Sequence, residues 1–145
     1  MKRLSILLVG LLASFQMACA DDVVTRDITR LPDKARTTLQ THFAGINISY
    51  IKIDNDLMKT TYEAVLSEET SVEFDNKGNW TEVDCQRSPV PAAFVPEAVK
   101  RYVREHFPGE SIVKVSRDRR GTRVELSNDL DLDFNAKGRF LRVDD

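Results

Sequence analysis

The sequence carries the same pattern twice, and this repeat constrains the fold more than any other feature. Residues 31–45 return 64 positions later as residues 95–109, and residues 72–84 return 60 positions later as residues 132–144. The smaller second offset means that the second copy has lost four residues between these two segments. A regular repeat of this length predicts two copies of one supersecondary unit that pack side by side.

Each copy has the pattern of one helix followed by four strands. In the second copy, Pro96 and Glu97 suit the first turn of a helix, and Pro108-Gly109 suits its end. Its predicted apolar face contains Val99, Tyr102, Val103, His106 and Phe107. Alternating polar and apolar residues then predict strands near 112–116, 123–126, 129–134 and 139–143. The predicted fold class is α+β, with one helix and a four-stranded antiparallel meander in each copy.

A unit of this size has a thin core of its own, so we expect the two copies to share one curved sheet with both helices on one face. The predicted organisation is a signal peptide (1–20), an N-terminal arm (21–30), a first repeat (31–84), a connector (85–94) and a second repeat (95–145).

The first 20 residues are typical of an export signal. Lys2 and Arg3 precede a short apolar run, and Ala18-Cys19-Ala20 has the pattern of a signal-peptidase cleavage site. We expect cleavage after Ala20 and a mature chain in the periplasm. Lipidation of Cys19 is the alternative, and we favour it less because Gln16 stands where a lipoprotein signal has an aliphatic residue.

Removal of the signal leaves 19 basic and 23 acidic residues, a net charge of −4. This balance and the lack of a basic stripe make nucleic acid an unsuitable partner. No later apolar segment of the sequence is long enough to span a membrane. Cys85 is then the only cysteine, and we interpret it as a small, partly buried residue, with an intermolecular disulfide or a reactive thiol as alternatives.

The alternation also predicts which side chains face away from the helices. Trp80 and its equivalent, Phe140, are predicted on the open face of the sheet, while their neighbours are predicted on the helix side, namely Thr81, Val83, Leu141 and Val143. Exposed aromatic residues and arginine are common in binding hot spots. The predicted partner-binding residues are Trp80, Phe140, Tyr50, Lys52, Glu73 and Arg142. Packing of Trp80 against the connector or the N-terminal arm is the alternative.

Asp129, Asp131 and Asp133 form a series of oxygen ligands, which we consider as a weak calcium site. Strict alternation along an extended strand would space these carboxylates about 7 Å apart, which suits a metal ion poorly. Cross-strand pairing with Arg123 or Arg142 is the alternative interpretation. The sequence indicates no other cofactor.

The sequence does not indicate catalytic residues. His42 and His106 are the only histidines, and they occupy the same position in the two copies, so we interpret them as partly buried residues at helix ends. The nucleophile-elbow, phosphate-loop and H-E-x-x-H motifs are absent from the sequence. We therefore expect a protein that is not an enzyme.

The order of helix, strand and closing hairpin resembles the PepSY-like family. The residues that carry the resemblance are Val124-Glu125-Leu126-Ser127-Asn128 and Leu132-Asp133-Phe134-Asn135-Ala136-Lys137-Gly138-Arg139-Phe140-Leu141, and the similarity extends over about residues 29–145. This resemblance implies a small exported protein with a tandem helix-plus-four-strand fold, similar to the β-lactamase inhibitor protein. In that inhibitor the concave sheet face grips a loop of its enzyme. Some family members are described as calcium-regulated periplasmic proteins.

The expected function is that of an exported binding or regulatory protein. Its expected partner is a protein or peptide of the cell envelope, with inhibition of a hydrolase as one form of this activity. The alternative is a sensor that responds to calcium or a small ligand through the acidic sheet face. A purely structural envelope component is the third hypothesis.

Overall fold

The computed structural model describes residues 22–145, and it is an α+β structure with two helices and one antiparallel sheet. The predicted signal peptide (1–20) and Cys19 lie outside the described residues. The helices are α1 (Asp33–His42) and α2 (Glu97–His106). The strands are β1 (Val23–Thr25), β2 (Ile48–Asp56), β3 (Lys59–Leu66), β4 (Ser71–Phe74), β5 (Trp80–Asp84), β6 (Ile112–Arg117), β7 (Gly121–Leu126), β8 (Asp131–Asn135) and β9 (Phe140–Asp144).

All nine strands form a single open sheet in which each strand pairs with the next one along the chain. The strand pairs are antiparallel throughout. The sequence predicted eight strands, and the ninth is β1, which belongs to the segment interpreted as an N-terminal arm. It pairs with β2 and extends the sheet at that edge. Within residues 22–145, neither helix is long and apolar enough to cross a membrane.

The two helices begin and end as the sequence predicted. Pro32 and Pro96 hold extended backbone just before the first helical residue, and an acidic residue follows in each first turn. Three residues after each helix comes a glycine with positive φ, Gly45 at 81° and Gly109 at 90°. A left-handed residue at this place ends a helix and turns the chain back towards the sheet.

A central row of apolar side chains crosses the sheet and forms the core. Its members pair in register from β2 to β9 and are Ile51, Ala64, Val72, Val83, Val115, Val124, Leu132 and Val143. Ala35 and Leu39 of α1 and Val99 and Val103 of α2 belong to the same buried cluster. Val143 lies on the helix side as predicted, since it pairs with Leu132, and it is 43% exposed because it stands on the edge strand.

A β-bulge in each closing hairpin reverses the predicted orientation of two aromatic residues. Phe74 pairs with Trp80 while Glu73 pairs with Glu82, so Thr81 is an extra residue of β5. In the same way, the register shift between β8 and β9 makes Leu141 the extra residue and pairs Phe140 with Phe134. An extra residue moves the preceding side chain to the opposite face of the strand.

The prediction that Trp80 and Phe140 face away from the helices was therefore wrong. Phe140 stacks on Tyr102 of α2 with ring centroids 4.5 Å apart. Trp80 meets Phe94 edge-on at 5.2 Å, and both Trp80 and Phe140 pack against the core cluster. Leu141, predicted on the helix side, is instead 58% exposed.

The connector is held against the body of the protein rather than free. Phe94 is buried, and its ring contacts His42 at 4.7 Å and Phe43 at 5.7 Å as well as Trp80. The contact between Trp80 and Phe94 corresponds to the alternative in which Trp80 packs on the connector. Backbone N–H groups of Cys85 and Val90 donate to carbonyl groups of the second copy, at Val113 and Ile112 respectively. These bonds tie the two copies together.

Cys85 is buried, in agreement with its interpretation as a small interior residue. Burial raises the pKa of its thiol, which reduces the thiolate fraction and hence its reactivity.

Replacing Gly78 by alanine is expected to destabilise the fold by about 2–4 kcal/mol, because the new methyl group combines backbone strain with a clash. Gly78 has φ of +81°, and a Cβ there would lie 2.9 Å from both Pro32 Cβ and the Ala35 nitrogen of α1. Gly109 provides the matched control, since it has φ of +90° but open space around it. Urea denaturation of both variants separates the two costs, and we expect only about 1 kcal/mol for Gly109→Ala. Equal losses in the two variants would show that the hairpin does not pack closely on α1.

Candidate functional site

Two rows of mainly charged side chains run across the open face of the sheet, which is the side opposite the core row. Because side chains alternate along a strand, residues one position before and after each core residue share this face. The first row is Val24, Lys52, Glu63, Glu73, Glu82, Ser116, Arg123, Asp133 and Arg142. The second row is Tyr50, Val65, Ser71, Asp84, Lys114, Glu125, Asp131 and Asp144.

Three glutamates lie side by side in the first row. Glu63 is paired with Lys52 at 3.1 Å, and Glu82 is paired with Lys114 at 2.9 Å. Glu73 stands between them and forms no ion pair with the described residues. Burial, together with the charges of Glu82 and Glu63, raises the pKa of Glu73. The arrangement therefore holds a carboxylate whose negative charge is poorly compensated.

The middle of the second row is a cluster of acids around one lysine. Lys114 contacts Glu82 and also lies 3.6 Å from Asp84. Although its burial opposes the charged form, the hydrogen bond that Lys114 donates to Glu82 and the charges of the nearby acids raise the pKa of Lys114. Partial burial and the charge of Asp131 also raise the pKa of Glu125. One cation thus faces more carboxylates than it can neutralise.

Arginine side chains neutralise the acids at the β7–β9 end of the same face. Arg123 binds Asp133 through two hydrogen bonds of 2.6 and 2.9 Å, and Arg142 donates to the same carboxylate at 2.8 Å. Both arginines also approach Asp144, at 3.4 and 3.2 Å. The hydrogen bonds from Arg123, joined by those from Arg142, lower the pKa of Asp133. This end of the face is electrostatically satisfied.

The calcium series does not form a compact ligand set. Asp129 lies in the turn before β8 with φ of 67°, whereas Asp131 and Asp133 lie on the strand. Asp133 is engaged by two arginines, as the cross-strand interpretation expected. Within the part of the chain that the structure describes, no group of three or more His, Cys, Asp or Glu side chains is arranged to hold a metal ion.

The two charged rows line a groove of about 880 Å³, which we call the open-face groove. Its lining carries acids and cations in nearly equal number, with Glu73, Glu82, Asp118, Glu125, Asp131 and Asp133 against Lys114, Arg117, Arg120, Arg123 and Arg142. Phe134 and Leu141 add apolar surface. Because the acids at the β7–β9 end are already paired with arginines, the part of the groove around Glu73 is the part that suits a basic side chain of a partner.

The structure places four of the six predicted partner-binding residues on the open face, and two of these, Glu73 and Arg142, line the groove. Tyr50, Lys52, Glu73 and Arg142 lie on the open face, while Trp80 and Phe140 lie on the helix side. The sequence reasoning did not single out Lys114 and Glu82 as site residues. The missing information was the pairing of β5 with β6, which joins the two copies and places Lys114 beside Asp84 and Glu82.

The two histidines are exposed rather than partly buried as predicted. His106 stacks on Tyr102 at 4.0 Å, and its Nδ1 lies 3.0 Å from the Tyr102 carbonyl oxygen. His42 packs against Phe94. Among residues 22–145, neither ring forms an ion pair or hydrogen bond with a Ser, Cys, Asp or Glu side chain.

The sequence profile of a family described as "Putative beta-lactamase-inhibitor-like, PepSY-like" matches residues 60–142. The comparison with functionally curated proteins finds no match. Among solved structures, a "putative periplasmic protein of unknown function" from Bacteroides vulgatus is 40% identical, with a TM-score of 0.83 over 86% of this chain and 100% of that one.

Two further structures match 86% of this chain with TM-scores of 0.81. A "putative calcium-regulated periplasmic protein" from Bacteroides thetaiotaomicron is 33% identical over 97% of its length. A second "putative periplasmic protein" from Bacteroides vulgatus is 34% identical over 98% of its length. The family profile covers more than half of the chain, and these structures share its sheet and helices, so the protein belongs to the PepSY-like family.

Proposed function

We propose that this protein is an exported, non-enzymatic binding protein whose open-face groove recognises a basic segment of a protein or peptide in the cell envelope. The observation that carries the proposal is Glu73, a carboxylate that lies in the groove between two other glutamates and has no ion pair in the described chain. A lysine or arginine side chain from a partner would supply the missing charge.

The distribution of charge in the groove supports a basic partner. Lys114 neutralises part of the negative charge, but Glu73 and Glu125 both have pKa values above their ordinary range, which burial and neighbouring acids cause. Repulsion of this kind costs stability, and binding sites commonly retain such costs. Charge complementarity also speeds association and disfavours partners of the wrong charge.

The setting of this activity is the periplasm, as the export signal predicts and as the descriptions of the matching structures support. The family description as β-lactamase-inhibitor-like supports a role in which binding blocks another protein, such as a hydrolase. Fold similarity alone does not transfer a target, so the basic segment is defined here only by its charge.

The same proposal includes the internal repeat of the fold. We take residues 31–84 and 95–145 as two copies of one helix-plus-four-strand unit, with both helices over the same side of the sheet. The order α1, β2–β5, α2, β6–β9 supports it, and so does the single buried cluster that receives side chains from both helices. In this arrangement the whole opposite face is available for binding.

Peptides selected from a random displayed library on the mature chain (21–145) are expected to be enriched in lysine and arginine. Affinity of a selected peptide should fall at least about 10-fold in Glu73→Gln/Glu125→Gln, because two charged contacts are lost. Calorimetric titration gives the dissociation constants, and the affinity should also weaken with added salt.

The matched control is Glu69→Gln/Glu105→Gln, which removes the same charge from exposed positions outside the groove. It is expected to bind the peptide like the parent. Enrichment of acidic peptides, or an equal loss of affinity in both double variants, would count against the open-face groove as the binding site.

Glu73→Gln alone is expected to stabilise the protein at neutral pH by less than about 1 kcal/mol, since the carboxyl is partly solvated. The raised pKa means that the folded protein disfavours the ionised carboxylate, a cost that is fully present above the raised pKa. The cost disappears as the pH falls below the ordinary value of 4.5. Urea denaturation at about pH 7 and about pH 3 should therefore show the gain only at the higher pH. A gain that is the same at both values would rule out ionisation as its cause.

A calcium-responsive regulator is the second candidate, and the observation in its favour is the description of the Bacteroides thetaiotaomicron structure as calcium-regulated. The residue of the predicted calcium series that this candidate would use is Asp131, because Asp133 is engaged by two arginines, whereas Asp131 lies 3.9 Å from Arg123 alone. It predicts a rise in Tm with millimolar CaCl₂ that MgCl₂ does not reproduce and that Asp131→Asn abolishes. The peptide-binding proposal predicts the same Tm with either salt.

A further inference from the structure

A second charged pocket lies between the start of α2 and the β8–β9 hairpin, and its lining carries positive charge alone, unlike the mixed lining of the open-face groove. We call it the basic pocket. It has a volume of about 640 Å³ and is lined by Ala98, Arg101, Arg120, Asn135, Ala136, Lys137, Gly138 and Arg139. Four of these residues are cationic and none is acidic. Arg120 is the only lining residue that the two sites share.

Most of the cations in the basic pocket have no acidic partner. Arg120 pairs with Asp118 at 3.1 Å. The charged side chains of Arg101, Lys137 and Arg139 form no ion pair or hydrogen bond with any residue in 22–145. Glu97, the acid at the start of α2, is engaged by Lys100 at 3.0 Å and Arg104 at 3.3 Å. Three unneutralised cations therefore meet in one concave site of a chain that carries an excess of acids.

The floor of the basic pocket is formed by Asn135, a neutral residue, so it does not reduce the positive charge of the walls. Asn135 Oδ1 accepts hydrogen bonds of 3.0 Å from the N–H groups of Lys137 and Arg139. The residue at the same place in the first copy is Asp75, which accepts the equivalent two bonds at 2.9 Å. The two hairpins are thus held by the same bonds, but the second copy uses a neutral amide where the first uses a carboxylate.

Two residues in the walls of the basic pocket are cationic where the first copy has neutral residues. The sequence repeat places Thr37 where the second copy has Arg101, and Asn79 where it has Arg139. Thr37 donates to the Asp33 carbonyl oxygen, and Asn79 bonds to Asp75 and Lys34. Thr37 and Asn79 are thus satisfied within the first copy, whose hairpin keeps only Lys77 as a cation without an ion pair among the described residues, whereas three such cations line the pocket of the second copy.

We infer that the basic pocket binds a phosphate group, with Arg101, Lys137 and Arg139 as its ligands. Phosphate provides several oxygen acceptors around one centre, and the planar donor fork of arginine matches this geometry. A neutral floor avoids repulsion of the anion, which Asp75 would cause in the first copy. The phosphate could belong to a soluble phosphate ester or to a lipid headgroup, and the experiment below separates these two sources. This inference does not depend on the open-face groove.

The test is a titration of the mature chain with inorganic phosphate and with glycerol 3-phosphate, followed by ¹H–¹⁵N chemical shifts. Saturable shifts are expected at the amides of Arg101 and residues 135–139, and acetate should not produce them. In Arg101→Thr/Arg139→Asn, which restores the residues of the first copy, the dissociation constant should rise at least about 10-fold. The matched control Arg26→Asn/Arg87→Thr removes two exposed arginines outside the pocket and should bind like the parent.

Asn135→Asp provides a second variant that keeps the hairpin bonds, since Asp75 makes them in the first copy. It should weaken phosphate binding while the spectrum of the folded protein is retained. Co-sedimentation with vesicles of phosphatidylcholine, with and without phosphatidylglycerol, tests the lipid source. Binding to the anionic vesicles that Arg101→Thr/Arg139→Asn abolishes would assign the phosphate to a lipid headgroup, and binding of the soluble probes alone would assign it to a phosphate ester.

The inference is overturned by the lack of a saturable response to all of these probes. An undiminished response in Arg101→Thr/Arg139→Asn, or an equal response to acetate, would overturn it as well.

Discussion

The structure depends on one row of apolar side chains that crosses the sheet on its helix side. Seven of its members, from Ile51 in β2 to Leu132 in β8, are fully buried. Burial of each larger side chain in such a row stabilises the fold by about 1.5–3 kcal/mol. Because side chains alternate along a strand, the same row places its two neighbours on every strand on the open face. The position of the two charged rows is therefore a geometric consequence of the core. The core does not determine which residues occupy these positions.

The two β-bulges show where reasoning from alternation succeeds and where it fails. Alternation placed Lys52, Glu73 and Arg142 on the open face, and the register confirms that placement. It failed for Trp80 and Phe140 because one extra residue in β5 and in β9 reverses the strand at that point. Each hairpin has a glycine with positive φ just before the bulge, at 81° and 78°. That glycine is the feature of the sequence that could have indicated the bulge, since hairpins of this length commonly combine a left-handed residue with a bulge.

The two bulges also turn Trp80 and Phe140 towards the helix side of the sheet, where both rings meet other aromatic rings. Phe140 turned inward stacks on Tyr102, whereas the first copy has Thr38 at the position of Tyr102 and lacks that ring. Phe94 of the connector fills the gap, contacting Trp80 and Phe43. The connector is thus a part of the core of the first copy. The use of Phe94 in place of a ring on α1 could not be predicted from the repeat, because the repeat does not include residues 85–94.

Features that depend on contacts between distant segments were the least predictable. The helices, the hairpins and the α+β class with an antiparallel sheet follow from local patterns, and the structure confirms them. The pairing of β1 with β2 and of β5 with β6 has no local pattern, and the second of these pairs creates the acidic cluster around Lys114.

The two closing hairpins show how the charge at a turn can differ while its hydrogen bonds stay the same. In both copies the hairpin is held by two backbone hydrogen bonds to a side-chain oxygen, of Asp75 in one and Asn135 in the other. Both an amide oxygen and a carboxylate can accept these bonds, so the charge at this position can change without loss of the turn. The second copy has become locally positive at this hairpin, while the open face has accumulated acids around Glu73 and Glu125. The acids around Glu73 and the cations around Arg139 therefore lie in different parts of the molecule, and neither group neutralises the other.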